Sequence, residues 1–255
     1  MQVKKKILPL EKKQKVEKEN VRRDKSMMFK KKRALSKPKA ISLAAADSSS
    51  IISEQYRMIR MNVAYVSEMN QKIKTIVVSS AGPGEGKSTI CANLAVTFAQ
   101  NDKKVLLIDA DMRRPTVHLT FGMENFDGFS SYLRDNLALD SIIQKSTIKN
   151  LDVITSGIKP VNPSDLLSSK KMEQFIKEVS YLYDYVFFDT PPLFGIPDSS
   201  ILSTKIDGVL LVVRENVTNK EQLINAKGVL ELTNVNILGA IYNGVEDNVY
   251  EGYYY

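Results

Sequence analysis

Residues 80 to 89 read Ser80-Ala81-Gly82-Pro83-Gly84-Glu85-Gly86-Lys87-Ser88-Thr89. An apolar run, Ile73 to Ser79, comes before them and a helical pattern, Ser88 to Gln100, comes after. Strand, glycine-rich turn and helix in that order make the context of a phosphate-binding loop. Glycines let the backbone curl so that several N–H groups point inward at phosphate oxygens, and the helix N-terminus adds its partial positive charge. In such a loop Lys87 bridges the β- and γ-phosphates and the Ser88 hydroxyl ligates Mg²⁺, with Gly82, Gly84, Glu85, Gly86 and Thr89 completing the nucleotide cradle. The first position of the pattern is Ala81 instead of glycine, which is tolerated where that residue does not need φ > 0.

Outward from the loop, apolar runs recur at Val105 to Asp109, Leu151 to Thr155, Tyr185 to Asp189, Val209 to Val213 and Ile237 to Tyr242. Helical patterns lie among them at Pro163 to Leu182 and Asn219 to Leu232, and an amphipathic one, Ser53 to Met69, precedes the first strand. Strands alternating with helices imply right-handed crossovers, so the expected fold is α/β: a P-loop NTPase with a mainly parallel sheet flanked by helices on both faces. Two of the runs end in carboxylates, where this architecture places its ligands. Val105 to Asp109 leads into Ala110-Asp111-Met112-Arg113-Arg114, and Tyr185-Val186-Phe187-Phe188-Asp189-Thr190-Pro191-Pro192 is shaped like the Walker B element that holds Mg²⁺ through its carboxylate.

The chain has 255 residues, 43% apolar and 25% charged, which suits a globular protein and excludes collagenous or wholly disordered classes. No stretch approaches the ~18 uninterrupted apolar residues of a spanning helix, and the start, Met1-Gln2-Val3-Lys4-Lys5-Lys6, lacks the pattern of a secretory signal. A cytoplasmic location is expected, and the single cysteine, Cys91, agrees with a reducing compartment. The net charge of +7 is unevenly spread: residues 1 to 40 carry +12 and the remainder −5. Residues 1–50 are expected to be a basic, disordered arm and linker suited to an anionic membrane surface, residues 51–246 the P-loop domain, and residues 247–255 a flexible tail.

The loop, the Asp109-Ala110-Asp111-Met112-Arg113 segment and Asp189-Thr190-Pro191-Pro192 together resemble the bacterial tyrosine kinases that control capsule and exopolysaccharide synthesis. Two further features sharpen the resemblance. Glu54-Gln55-Tyr56-Arg57-Met58-Ile59-Arg60 matches that family's Glu-x-x-Arg-x-x-Arg oligomerisation motif, and the chain ends Tyr250-Glu251-Gly252-Tyr253-Tyr254-Tyr255. The resemblance implies ATP and Mg²⁺ as cofactors, a homo-oligomer built as a ring through Glu54, Arg57 and Arg60, and autophosphorylation in trans of Tyr250, Tyr253, Tyr254 and Tyr255. It also implies a membrane-anchored activator of the polysaccharide co-polymerase type, which would hold the chain at the inner face of the membrane, and a cognate tyrosine phosphatase. No nucleic-acid partner is expected. Asn243, at the end of the last strand, is the candidate for contact with the adenine ring, where the family often has Asn-Arg and this chain has Asn243-Gly244.

The residues carry their own reading beside the resemblance. Glu54, Arg57 and Arg60 fall along one side of a helix, where an internal ion pair contributes only ~0.3 to 0.5 kcal/mol. Four tyrosines in six residues form an exposed aromatic tail, a liability unless something uses it. No Gly-x-Gly-x-x-Gly loop and no His-Arg-Asp triplet occur, which excludes the eukaryotic kinase arrangement. In the kinase reading Lys87 holds the phosphates, Asp111 and Asp189 serve Mg²⁺ with Ser88, and Asp109 accepts the tyrosine proton. Arg113 and Arg114 are candidates for stabilising the transferred group. The rival is a partitioning-type ATPase switch, which carries a second lysine five residues before the Walker lysine, where this chain has Gly82. A nucleotide-gated scaffold of polysaccharide assembly is the third reading. His118 lacks partner ligands for a metal role, and Cys91 reads as a buried small hydrophobe.

Overall fold

The computed structural model describes residues 43–47, 49–70, 73–135 and 137–245. Most of the basic arm and the tyrosine cluster, including Tyr250, Tyr253, Tyr254 and Tyr255, lie outside the described residues.

Seven strands form one sheet: β1 (Thr75–Ser80), β2 (Val105–Asp109), β3 (Gln144–Lys145), β4 (Leu151–Ile154), β5 (Tyr185–Asp189), β6 (Gly208–Arg214) and β7 (Ile237–Asn243). Their spatial order is β3-β4-β2-β5-β1-β6-β7. All neighbours are parallel except β3 with β4. The six apolar runs thus become the six parallel strands. The short antiparallel β3 was not expected, because two residues, Gln144 and Lys145, give no apolar run to detect.

Every residue of β1 and β2 is buried, as a strand covered on both faces requires. The period of two sends alternate side chains into two separate cores. On one face Val77, Leu106, Ile108, Val186, Phe188, Val209 and Leu211 meet α4 (Phe129–Arg134), α6 (Pro163–Ser168), α7 (Lys170–Leu182), α8 (Asp198–Ser203) and α9 (Lys220–Leu232). On the other, Ile76, Val78, Leu107, Phe187, Leu210 and Val212 meet α1 (Ile51–Asn70) and α2 (Lys87–Ala99). Cys91 is fully buried in this second core. Two small helices, α3 (Val117–Phe121) and α5 (Leu139–Ile142), complete the fold. Both are too short for a periodic signal.

The single helix expected from Pro163 to Leu182 is broken at Ser169, whose extended backbone and side-chain oxygen cap α7 by accepting from the Met172 N–H at 3.2 Å. Contact with the core also begins earlier than the small polar composition of residues 41 to 50 implies. Ala44–Ala46 form a 3₁₀ turn against α2, with the Ala45 N–H donating to Asn93 Oδ1 at 2.8 Å and Gln100 Nε2 donating to the Ala45 carbonyl at 3.0 Å. Small side chains are what allow that close approach. Among the described residues no helix is long and apolar enough to cross a membrane.

Phe98 on α2 is the hub of the second core, edge-on to Tyr185 at 4.5 Å and to Phe187 at 5.1 Å between ring centroids. Truncating a buried aromatic of this kind costs about 3 to 5 kcal/mol. Phe98→Ala is therefore expected to lower the urea unfolding midpoint sharply, while an exposed change such as Lys149→Ala leaves it in place.

Candidate active site

The chain leaves β1 at Ser80 and enters α2 at Lys87, so the glycine-rich loop lies at the carboxyl end of an interior strand, between β5 and β6. Gly84 and Gly86 have φ of 80° and 93°. At Gly86 an added Cβ would stand 2.3 Å from Asn243 Nδ2, so both backbone and space demand glycine there. Ala81 is absent from the positive-φ residues among those described, which is why it substitutes for glycine without strain.

The strand ends bring the acidic residues together. Asp109 and Asp189 are direct partners in the β2–β5 register, both fully buried, and the Ala110 N–H donates to the Asp189 carbonyl at 2.8 Å. Asp109 Oδ2 accepts from the Thr116 and Val117 N–H groups at 3.0 Å each, capping α3, while its Oδ1 has no partner. Apart from the Ser88 hydroxyl, which acts on it, the Asp189 carboxylate has no hydrogen-bond donor among the described residues. Burial, reinforced by Asp189, raises the Asp109 carboxyl well above the usual range. Burial likewise pushes Asp189 up to about 6, against the opposing pull of the Lys87 ammonium and the Ser88 hydroxyl. Asp111 lies nearer solvent at 4% exposure: its Oδ2 is 3.7 Å from Lys87 Nζ, and its Oδ1 accepts from the Arg114 N–H at 2.9 Å.

These groups suit a divalent cation. Buried carboxylate oxygens without partners are costly unless charge arrives to meet them. Among the described residues no preformed cluster of three His, Cys, Asp or Glu side chains occurs. Mg²⁺ needs no such cage, since it keeps several waters and binds through one or two carboxylates plus substrate phosphates. Ser88, Asp111 and Asp189 offer that donor set.

The remaining expected residues divide. Asn243 reaches the loop, its Nδ2 donating to the Glu85 carbonyl at 2.9 Å, so that donor serves the loop itself. Glu85 is 1% exposed. Its carboxylate turns inward and accepts from the Gly82 N–H at 2.6 Å. Arg113 makes a two-point pair with Asp198, Nε to Oδ2 at 2.7 Å and Nη2 to Oδ1 at 3.0 Å, and the Ser164 hydroxyl donates to the same carboxylate at 2.6 Å. The Arg114 side chain is exposed. On α1, Arg57 pairs with Glu54 of its own helix, and Arg60 is half-buried. Asp198, Ser164, Arg214 and Thr218 were not expected at the site. Each is remote in sequence from the motif it touches, and a helix-start pattern at Pro197-Asp198 was the only local signal.

A P-loop on a parallel sheet, with carboxylates at the tip of the adjacent strand β5 and of β2 next to it, defines a nucleotide-binding protein of the P-loop NTPase class. Residues 73–236 match the AAA domain family. The chain is 46% identical over 213 residues to the tyrosine-protein kinase YwqD of Bacillus subtilis, covering 84% of this chain and 90% of that protein. It is 35% identical to the putative tyrosine-protein kinase CapB of Staphylococcus aureus, over 81% of this chain and 90% of that one. The kinase domain of the Escherichia coli tyrosine kinase ETK superposes with a TM-score of 0.78 at 33% identity, covering 88% of this chain and 89% of the other. The chain belongs to the bacterial tyrosine-protein kinases, as its three sequence motifs implied.

The buried carboxylates give the nucleotide-free protein a signature in stability. An acid whose folded pKa lies above its unfolded value binds more protons when folded, so its share of stability is present at low pH and lost as pH rises. For Asp189 that loss runs from about pH 4 to about pH 6 and amounts to roughly 3 kcal/mol. Without nucleotide, Asp189→Asn is expected to unfold at higher urea than the parent protein at pH 7, with the difference shrinking toward pH 4. Equal midpoints at pH 7 would show that the Asp189 charge is compensated.

Proposed function

We propose that the chain is an ATP- and Mg²⁺-dependent protein-tyrosine kinase that phosphorylates its own C-terminal tyrosines in trans and regulates capsular or exopolysaccharide synthesis and export. The observation that carries this reading is the placement of Lys87 Nζ 3.7 Å from Asp111 Oδ2, with Asp109 and Asp189 side by side on adjacent strand tips and Asp109 Oδ1 left unpartnered. The loop amides and Lys87 hold the ATP phosphates, with Gly82, Gly84, Glu85, Gly86, Ser88 and Thr89 forming the loop. Ser88, Asp111 and Asp189 would hold Mg²⁺, which would supply neutralisation of the phosphate charge. In transfer, the bond from the γ-phosphorus to the β–γ bridging oxygen breaks, the tyrosine oxygen bonds to that phosphorus, and the phenolic proton goes to a carboxylate. Asp109 is assigned that proton. Its Oδ1, which has no partner, is the atom with capacity for it.

Several features support the wider reading. Ile51, Ile52, Met58, Met61, Tyr65 and Met69 of α1 are exposed, a run of apolar surface unlike that of a solvated helix. It favours oligomer contact through α1, with Glu54, Arg57 and Arg60 at its start. YwqD and CapB are named as tyrosine-protein kinases, and the partners inferred for this chain from the motif resemblance are a polysaccharide co-polymerase type activator at the membrane and a phosphatase. The basic arm supplies attraction to an anionic leaflet. The proposed organisation is a basic arm, a kinase domain that takes in the Ala44–Ala46 turn, and an acceptor tail after residue 246. The partitioning-type switch is the lesser reading, because Gly82 replaces its second lysine and nothing in it uses the tail.

Mixing a Lys87→Met chain with an active chain lacking residues 250–255, in the presence of γ-labelled ATP, is expected to place label on tyrosine in the tail of the inactive partner. Free phosphate without labelled tyrosine would mean a switch, and neither product a scaffold. Asp109→Asn is expected to slow transfer by about 10² to 10⁴ while Mg·ATP still binds. If instead Asp111→Asn lost transfer and kept binding, the base would be Asp111. Arg57→Ala with Arg60→Ala is expected to reduce the mass measured by light scattering to that of a smaller species; an unchanged mass would return both arginines to solvated surface.

A further inference from the structure

Nucleotide binding needs the loop held in one curl, and the hydrogen bonds that hold it come from the far side of the sequence. The Glu85 carboxylate is buried inside the loop. One oxygen accepts from the Gly82 N–H at 2.6 Å and the other from the Thr218 hydroxyl at 2.7 Å. The Thr218 oxygen in turn accepts from the Arg214 N–H at 2.7 Å. Arg214 also sends its guanidinium to the Gly84 carbonyl at 2.9 Å, and Asn243 grips the Glu85 carbonyl from β7. Three side chains from the end of β6, the turn after it and the end of β7 thereby fix residues 84 and 85.

We propose that Glu85 and Thr218 are positioning residues for nucleotide binding, with Arg214 as their outer brace, and that Glu85 acts on the loop instead of on the ligand. A carboxylate with 1% exposure is tolerated only when both oxygens are satisfied, and each of the two has one donor. Occupying the Gly82 N–H withdraws it from the amides open to phosphate and sets the direction of those that follow. The loop is then curled before nucleotide arrives, so less ordering is lost on binding. Removing the Thr218 hydroxyl leaves one buried carboxylate oxygen unpaired, and the relief available to Glu85 is to swing out and release the loop.

This inference deepens the nucleotide side of the proposed function, and its test reads nucleotide affinity, so a lack of tyrosine label would fall on the kinase reading alone. Binding of a fluorescent ADP analogue with Mg²⁺ is measured on the full chain for Thr218→Val, which keeps the shape, and Thr218→Ser, which keeps the hydroxyl. Thr218→Val is expected to raise Kd about tenfold, the scale of a hydrogen bond to a charged group. Thr218→Ser is expected to restore parental affinity. Unchanged affinity in Thr218→Val overturns the proposal, as does failure of Thr218→Ser to restore it. Should Thr218→Val not fold, Arg214→Met reads the same brace from an exposed position. A rise of about threefold in its Kd is expected, and no rise overturns the proposal. Parental protein that fails to bind the analogue overturns this proposal and the nucleotide reading together.

Discussion

Two carboxylates face each other across adjacent strands, Asp109 on β2 and Asp189 on β5, in direct register and without access to solvent. Like charges so placed in a buried site oppose ionisation, and the protein offers only partial compensation: two backbone amides for Asp109, and the nearby Lys87 for Asp189. Much of the surrounding structure follows from this arrangement. The sheet must be parallel and covered on both faces for two strand tips to end together at one edge. The loop must then curl back over those tips so that Lys87 and Ser88, at the start of α2, hang above them. The proposed cation and nucleotide would supply the charge that the polypeptide withholds.

The loop is held from outside itself. Glu85 anchors it inward, and Thr218, Arg214 and Asn243 brace it from β6 and β7. A second brace, the Arg113–Asp198 pair with Ser164, ties the segment after β2 to α6 and α8. The site is thus built on the ends of rigid elements, and the pieces joined by these bonds come from both halves of the chain.

The parts that were legible in the sequence are the contiguous ones. The phosphate loop and both acidic strand ends announce themselves because residue types, spacing and flanking elements lie within about ten residues of each other, and all six long strands carry apolar runs. Strand β3 escaped because two polar residues at a sheet edge have no pattern. The division of α6 from α7 escaped because the apolar periodicity runs on across Ser169 while the cap breaks the backbone. Thr218 and Asp198 escaped for a different reason: they touch Glu85 and Arg113 across 133 and 85 residues of sequence, and only folding brings them there. Asn243 reads in the sequence as an adenine contact, whereas its side-chain donor is turned to the loop backbone at Glu85.

The central claim is that binding of Mg²⁺ and nucleotide completes the charge of a site whose carboxylates the nucleotide-free protein holds partly protonated. Calorimetric titration of Mg·ADP at pH 6, repeated in buffers of different ionisation enthalpy, measures the protons released on binding most directly. With burial raising Asp189 to about 6, the account predicts a net release of protons on binding at pH 6 that falls, for Asp189, as the pH is taken to 8. Binding with no proton release at pH 6, beyond that of the nucleotide itself, would contradict it.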